Sequence, residues 1–149
     1  MPRPLASLLC LVLLAPLAAA CSSSPKSSAG GGSPTPAISP PIAVTGTVND
    51  HANVDDSAKG SSLSVVIDAG DNYFSPTFIK AAPGAHVAIT VDDIGQSPHT
   101  FTIAAAGINL QLSPGQSQSA QVTLPMAGSL PFFCSYHQLL GMKGAFYVS

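Results

Sequence analysis

Cys134, His137 and Met142 lie in one stretch near the end of the chain, Leu130-Pro-Phe-Phe-Cys-Ser-Tyr-His-Gln-Leu-Leu-Gly-Met-Lys-Gly-Ala-Phe-Tyr-Val148, at the spacing C-x2-H-x4-M. A thiolate, an imidazole and a thioether gathered at one point form a soft donor set, which favours copper over magnesium, calcium or manganese. A mononuclear copper site for electron transfer takes two His, one Cys and a long, weak axial contact, usually to Met. The stretch holds one His, so the second comes from elsewhere. His99 is the candidate, 35 residues before Cys134 in Ser97-Pro-His-Thr-Phe-Thr-Ile103.

The flanking residues must position these groups. Leu130, Phe132 and Phe133 read as the end of a buried strand, and Ala145-Phe-Tyr-Val148 reads as the next. Gly141 and Gly144 between them make the loop permissive. Pro98 marks a loop, and Thr100 to Ile103 alternate polar and apolar as a half-buried strand does. His99 therefore opens a strand and Cys134 ends one.

With His99 added, the pattern resembles the cupredoxins, the family of plastocyanin and pseudoazurin. The resemblance covers about residues 63 to 149 and includes Phe74-Ser-Pro76, Ile79 and Ala82-Pro-Gly84, similar to the family's early strand pair. It implies one copper ion held by His99, Cys134, His137 and Met142. It also implies an apolar docking patch at Leu139 and Leu140, extended by Ile94 and Gly95, around the solvent edge of His137. The sequence departs from the family at Thr100, where many members carry an Asn that ties the two ligand loops together. The aromatic residue usual just before the Cys is also displaced, with Leu130 and two adjacent Phe in its place.

Each residue also has a plainer reading. His86 opens a strand after a glycine turn, with no thiol near it in sequence, and reads as structural. Met142 is equally suited to filling a core, and Met126 is the rival axial donor, although it sits in a turn outside the loop. Leu139 and Leu140 are consistent with loop packing. Cys134 beside His137 is also compatible with a nucleophile and its base; the neighbouring Met and the all-β context argue against it. Phe101, Phe132, Phe133 and Phe146 read as core.

The amino terminus reads as a targeting segment. Arg3 precedes an apolar run from Leu5 to Leu14, of signal-peptide length and too short to span a bilayer. It ends in Leu17-Ala-Ala-Ala-Cys21, which resembles a bacterial lipobox and implies that Cys21 becomes the lipid-modified first residue. An ordinary Ala-x-Ala cleavage site is the alternative. Cys10 would leave with the signal, so Cys134 would remain alone. Exported proteins usually pair their cysteines, and an unpaired one followed by His and Met is better explained as a metal ligand.

The chain divides into a signal peptide (1–20), a lipidated amino terminus and Ser/Pro/Gly-rich linker (21–60), and one domain (61–149). The linker carries Gly30-Gly-Gly-Ser-Pro-Thr-Pro and Ser39-Pro-Pro, with no secondary structure expected; His51 reads as a solvated linker residue. From Leu63 onward, short alternating runs separated by turns predict an all-β, Greek-key sandwich of about seven to eight strands. Only 8% of the 149 residues are charged, with a formal charge of −2, so there is no basic footprint for nucleic acid. No glycine-rich nucleotide motif, internal repeat or acid–base constellation is present, and no enzyme activity is expected. The expected protein is a monomeric, membrane-anchored, extracytoplasmic electron carrier of the cell envelope, meeting redox protein partners transiently. Copper capture or delivery is the alternative, and a metal-free sandwich for adhesion or assembly is a third.

Overall fold

In a computed structural model, residues 44–148 are described. The signal segment, Cys21 and the linker up to residue 43 lie outside them. Ten strands form two sheets. They are β1 (Asn53–Asp55), β2 (Ser62–Gly70), β3 (Tyr73–Ser75), β4 (Phe78–Ala81), β5 (His86–Asp93), β6 (His99–Ile103), β7 (Ile108–Leu112), β8 (Ser117–Thr123), β9 (Gly128–Phe133) and β10 (Lys143–Val148). One sheet runs β1-β4-β10-β9-β6-β7 and the other β3-β2-β5-β8. Both are mixed: β4 is parallel to β1 and β10, and β2 is parallel to β5. Between the strands lie three short 3₁₀ turns, and no described helix is long and apolar enough to cross a membrane.

The sandwich follows from period-two patterning. Leu63, Val65, Ile67 and Ala69 of β2 and Val87, Ile89 and Val91 of β5 turn inward, with exposed or half-buried residues between them. In β6 and β9 the same alternation places His99 with Phe101, and Phe132 with Cys134, two residues apart on one face. Phe74, Phe101, Phe132 and Phe146 form an edge-on and tilted aromatic cluster, with ring centroids 4.9–5.6 Å apart. Such pairs contribute about 0.5–1.5 kcal/mol each beyond burial. Phe133 is not in that core. It follows the inward-facing Phe132, so it points to the other face and stays half-buried, while Phe74 takes the expected fourth place.

Ten strands stand where the sequence leads one to expect about seven to eight: residues 73–81 form two, broken at Pro76, and β1 adds a further one. The chain from 44 to 60, expected as linker, is part of the domain. β10 is buried on both faces: Phe146 and Val148 enter the main core, and Ala145 and Tyr147 join Phe78 in a second cluster. Val44 and Val48 cover that second cluster, and β1 then pairs with β4. Sheet burial, not local propensity, orders this segment.

Candidate metal centre

The site lies at the rim of the aromatic core, where β6 begins and β9 ends. β9 meets β6 antiparallel through Thr102↔Phe133, which brings Cys134 beside the start of β6. The chain after Cys134 makes a closed loop. Cys134 O accepts from His137 N (3.2 Å), and His137 O accepts from Leu140 N (2.9 Å) and Met142 N (3.2 Å). Cys134 N donates back to Met142 O at 3.0 Å, joining the two ends. Gly141 makes the turn at φ +98°, a left-handed conformation suited to glycine. Gly144 has a different role: it lies inside β10, where a Cβ would strike Thr77 O and the Phe132 ring.

His99, Cys134 and His137 present donor atoms that all lie within 4.8 Å of one another. Nδ1 of His99 and Nδ1 of His137 are 3.2 Å apart, and Cys134 Sγ is 3.9 and 3.6 Å from them respectively. His99, Cys134 and Met142 are fully buried and His137 is half-buried. Among the described residues no other such cluster occurs, and Cys134 is a free thiol. Burial pushes the His99 imidazole below its ordinary value of 6.5; the Asp93 and Asp71 carboxylates oppose that shift, and His137 adds to it. A neutral imidazole is the form that binds metal.

Thr100, where the resemblance leads one to expect Asn, joins the two segments that carry His99 and Cys134. Its backbone N–H donates to Cys134 Sγ at 3.4 Å, and its Oγ1 accepts the Ser135 N–H at 2.7 Å. One buried residue therefore contacts the thiol and ties the two ligand segments. Thr102 donates to Thr100 Oγ1 and lies 3.3 Å from Ser135 Oγ.

Met142 is buried at the closed foot of the loop, where its backbone bonds Cys134 and His137. Met126 lies elsewhere: it is exposed, with its sulfur against Gly84, before the start of β5. His99 follows the other end of that eight-residue strand, about 25 Å away at ~3.3 Å per residue. His86 is at the same far end, exposed, with Nδ1 3.0 Å from Thr123 Oγ1. His51 stacks on Tyr73 at 3.8 Å and belongs to the domain, not to a tether. Leu139, Leu140 and Ile94 are 92%, 60% and 54% exposed on the two loops that carry His137 and His99. Tyr136, which sequence reasoning passed over, joins them at 58%.

Asn49 is a second residue that the sequence did not reveal. Its N–H donates to Gly141 O (2.9 Å), and its Nδ2 donates to Leu140 O and Asn72 O (both 2.8 Å). The segment expected as linker thus clasps the ligand loop.

The β-sandwich, with a buried Cys between two convergent imidazoles, is of the cupredoxin-like class of fold. Residues 41–148 match the family described as "Cupredoxin-like domain", and the chain belongs to that family. Comparison with curated protein sequences found no match. Among solved structures, the chain is similar to the metal-binding domain of the Cu(I)-exporting P-type ATPase CopA of Streptococcus pneumoniae D39, solved with Cu(I). The identity is 18%, with 68% of this chain and 99% of that one covered at a TM-score of 0.56. It is also similar to auracyanin B, at 17% identity over 69% and 96% of the two chains, with a TM-score of 0.51. At such identities the likeness is one of fold.

Proposed function

We propose that this protein is a membrane-anchored, extracytoplasmic electron carrier that binds a single copper ion. The observation that carries the reading is the convergence of His99 Nδ1, His137 Nδ1 and Cys134 Sγ within 4.8 Å at the rim of the core. This thiolate–imidazole set suits copper, and the buried Met142 supplies a thioether at the foot of the same loop. Bound copper would supply a one-electron Cu(I)/Cu(II) couple. The protein's part is to hold the donors still. The Cys134–Met142 backbone bond closes the loop, Thr100 ties it to β6, and the aromatic cluster excludes water from beneath. His137 is the ligand candidate that reaches the surface, between loops bearing Ile94, Tyr136, Leu139 and Leu140. Such a surface fits a small, transient contact with a redox protein.

Anchoring rests on Leu17-Ala-Ala-Ala-Cys21. Mass analysis of the mature protein tests it: a diacylglyceryl group on Cys21 supports the anchor, and an unmodified amino terminus refutes it.

Copper capture or delivery uses the same donors, and the exposed edge of His137 would suit hand-over as well. Adding Cu(II) to the protein and recording visible and paramagnetic resonance spectra tests the site. An intense thiolate-to-copper band with narrow hyperfine splitting, lost in Cys134→Ser, is expected. A weak tetragonal signal, or colour that survives Cys134→Ser, refutes it. Fast electron self-exchange then favours the carrier, and rapid copper transfer to an apo-acceptor favours delivery.

A further inference from the structure

Asp71 lies in the tight turn between β2 and β3, outside every motif that pointed to the site. Its carboxylate reaches across to the loop leading into β6. Gln96 N–H donates to Oδ1 and Oδ2 at 3.1 and 3.3 Å, and Ser97 N–H donates to Oδ1 at 3.3 Å. The same Oδ1 faces Nε2 of His99 at 3.6 Å. That nitrogen is fully buried and has no hydrogen-bond partner, while Nδ1 of the ring looks toward Cys134 and His137.

The two ends of an imidazole are linked. If Nδ1 offers a lone pair to a metal, Nε2 carries the proton, and a buried N–H calls for an acceptor. Asp71 is the acceptor placed to receive it. Gly95 keeps the gap clear: a Cβ there would stand 2.8 Å from both Asp71 Oδ1 and His99 Nε2, so a residue without a side chain is needed for the two to meet.

We propose that Asp71 is a positioning residue of the metal centre, holding His99 in the Nε2–H tautomer with Nδ1 aimed at Cys134 and His137 and placing a negative charge behind that ring. The inference rests on the copper reading above. An outer carboxylate of this kind fixes the tautomer and raises ligand basicity, and its loss commonly lowers metal affinity by about 10–100-fold. The negative charge favours the more highly charged Cu(II). The Asp71 side chain is 44% exposed, and solvent screens part of its field, which places the effect near the lower end, about tenfold.

The test uses the full-length protein and its Asp71→Ala and Asp71→Asn variants, with two readouts. In the metal-free protein, long-range ¹H–¹⁵N correlation of labelled histidine reads the tautomer of His99. In the copper-loaded protein, competition titration and voltammetry read the Cu(II) affinity and the potential. Wild type is expected to hold His99 as Nε2–H. Asp71→Ala is expected to mix the tautomers, bind Cu(II) about tenfold more weakly and raise the potential by the corresponding ~59 mV for a one-electron couple. Asp71→Asn keeps an acceptor oxygen for Gln96, Ser97 and Nε2, so it is expected to keep the tautomer while its potential rises. Unchanged tautomer, affinity and potential in Asp71→Ala would overturn the proposal. If that variant does not fold, an unshifted potential in Asp71→Asn overturns it instead. Wild type that binds no copper refutes the copper reading alone, and the tautomer in the metal-free protein still decides whether Asp71 sets the ring.

Discussion

Replacing Thr100 with valine isolates the tie between the two ligand segments. Thr100 is almost fully buried, and valine nearly matches its shape, so little packing is lost. What disappears is the acceptor for Ser135 N–H at 2.7 Å and for the Thr102 hydroxyl at 3.3 Å. An amide left without a partner in a buried setting costs about 1–3 kcal/mol. Ser135 is exposed enough for water to recover part of that bond, which sets the expected loss at about 1–2 kcal/mol. For a domain of this size that is a fall in Tm of about 4–8 °C. The assay is thermal and urea unfolding of the metal-free protein, with an unchanged m-value as the check that only stability has moved. Thr100→Ser keeps the hydroxyl and is expected to recover most of the loss. The backbone N–H to Cys134 Sγ is untouched by either change, so both variants should still take on colour with Cu(II). A Thr100→Val protein within about 0.3 kcal/mol of wild type would refute the claim that this hydroxyl joins the loops.

Gly144→Ala should destabilise far more than an ordinary strand substitution, by upward of about 2 kcal/mol, because its Cβ has no room between Thr77 O and the Phe132 ring; a near-normal urea midpoint would contradict the packing described. Asn49→Ala removes two side-chain bonds, to Leu140 O and Asn72 O, and is expected to cost about 1–2 kcal/mol and to raise hydrogen exchange in 138–142 in particular; uniform exchange would show that Asn49 does not clasp the loop. For pH, His99 in the folded protein has a depressed pKa, whereas the unfolded chain takes up a proton near 6.5. The unfolded state therefore binds more protons just below 6.5, and the metal-free protein should lose stability as pH falls through that region, by at most about 1.4 kcal/mol per unit for this one group. Urea midpoints that stay level or rise between pH 7.5 and 5.5 would refute the assignment.

The donor residues were legible because their chemistry is rare and their spacing local: Cys134 and His137 share one loop, and His99 opens a clearly alternating strand. The sandwich was legible in the clean alternation of β2 and β5. What escaped notice depends on contacts far apart in sequence. Asp71 sits in Gly70-Asp-Asn72, a composition any solvent-facing turn has, so nothing marks its carboxylate as facing His99. Val44 and Val48 stand among Ser, Pro, Thr and Gly, and only the second buried face of β10 explains them. Residue type alone puts Phe133 in the core, and the one-residue alternation against Phe132 decides otherwise. At Thr100 the departure from the family was visible, but the hydroxyl that makes the tie was not.

The clasp at Asn49 has a mechanical consequence. A chain attached at its amino-terminal side transmits any pull into the domain at Val44, not at Leu63. The first polar bonds that such a pull meets are Lys143 Nζ to Thr45 O, at 2.9 Å, and the Asn49 bonds to Leu140 and Gly141. They grip the loop after His137 and the first residue of β10. Tension on the leading chain would therefore fall on the ligand loop and on the start of β10 together, which couples the centre's rigidity to the mechanical load on the chain.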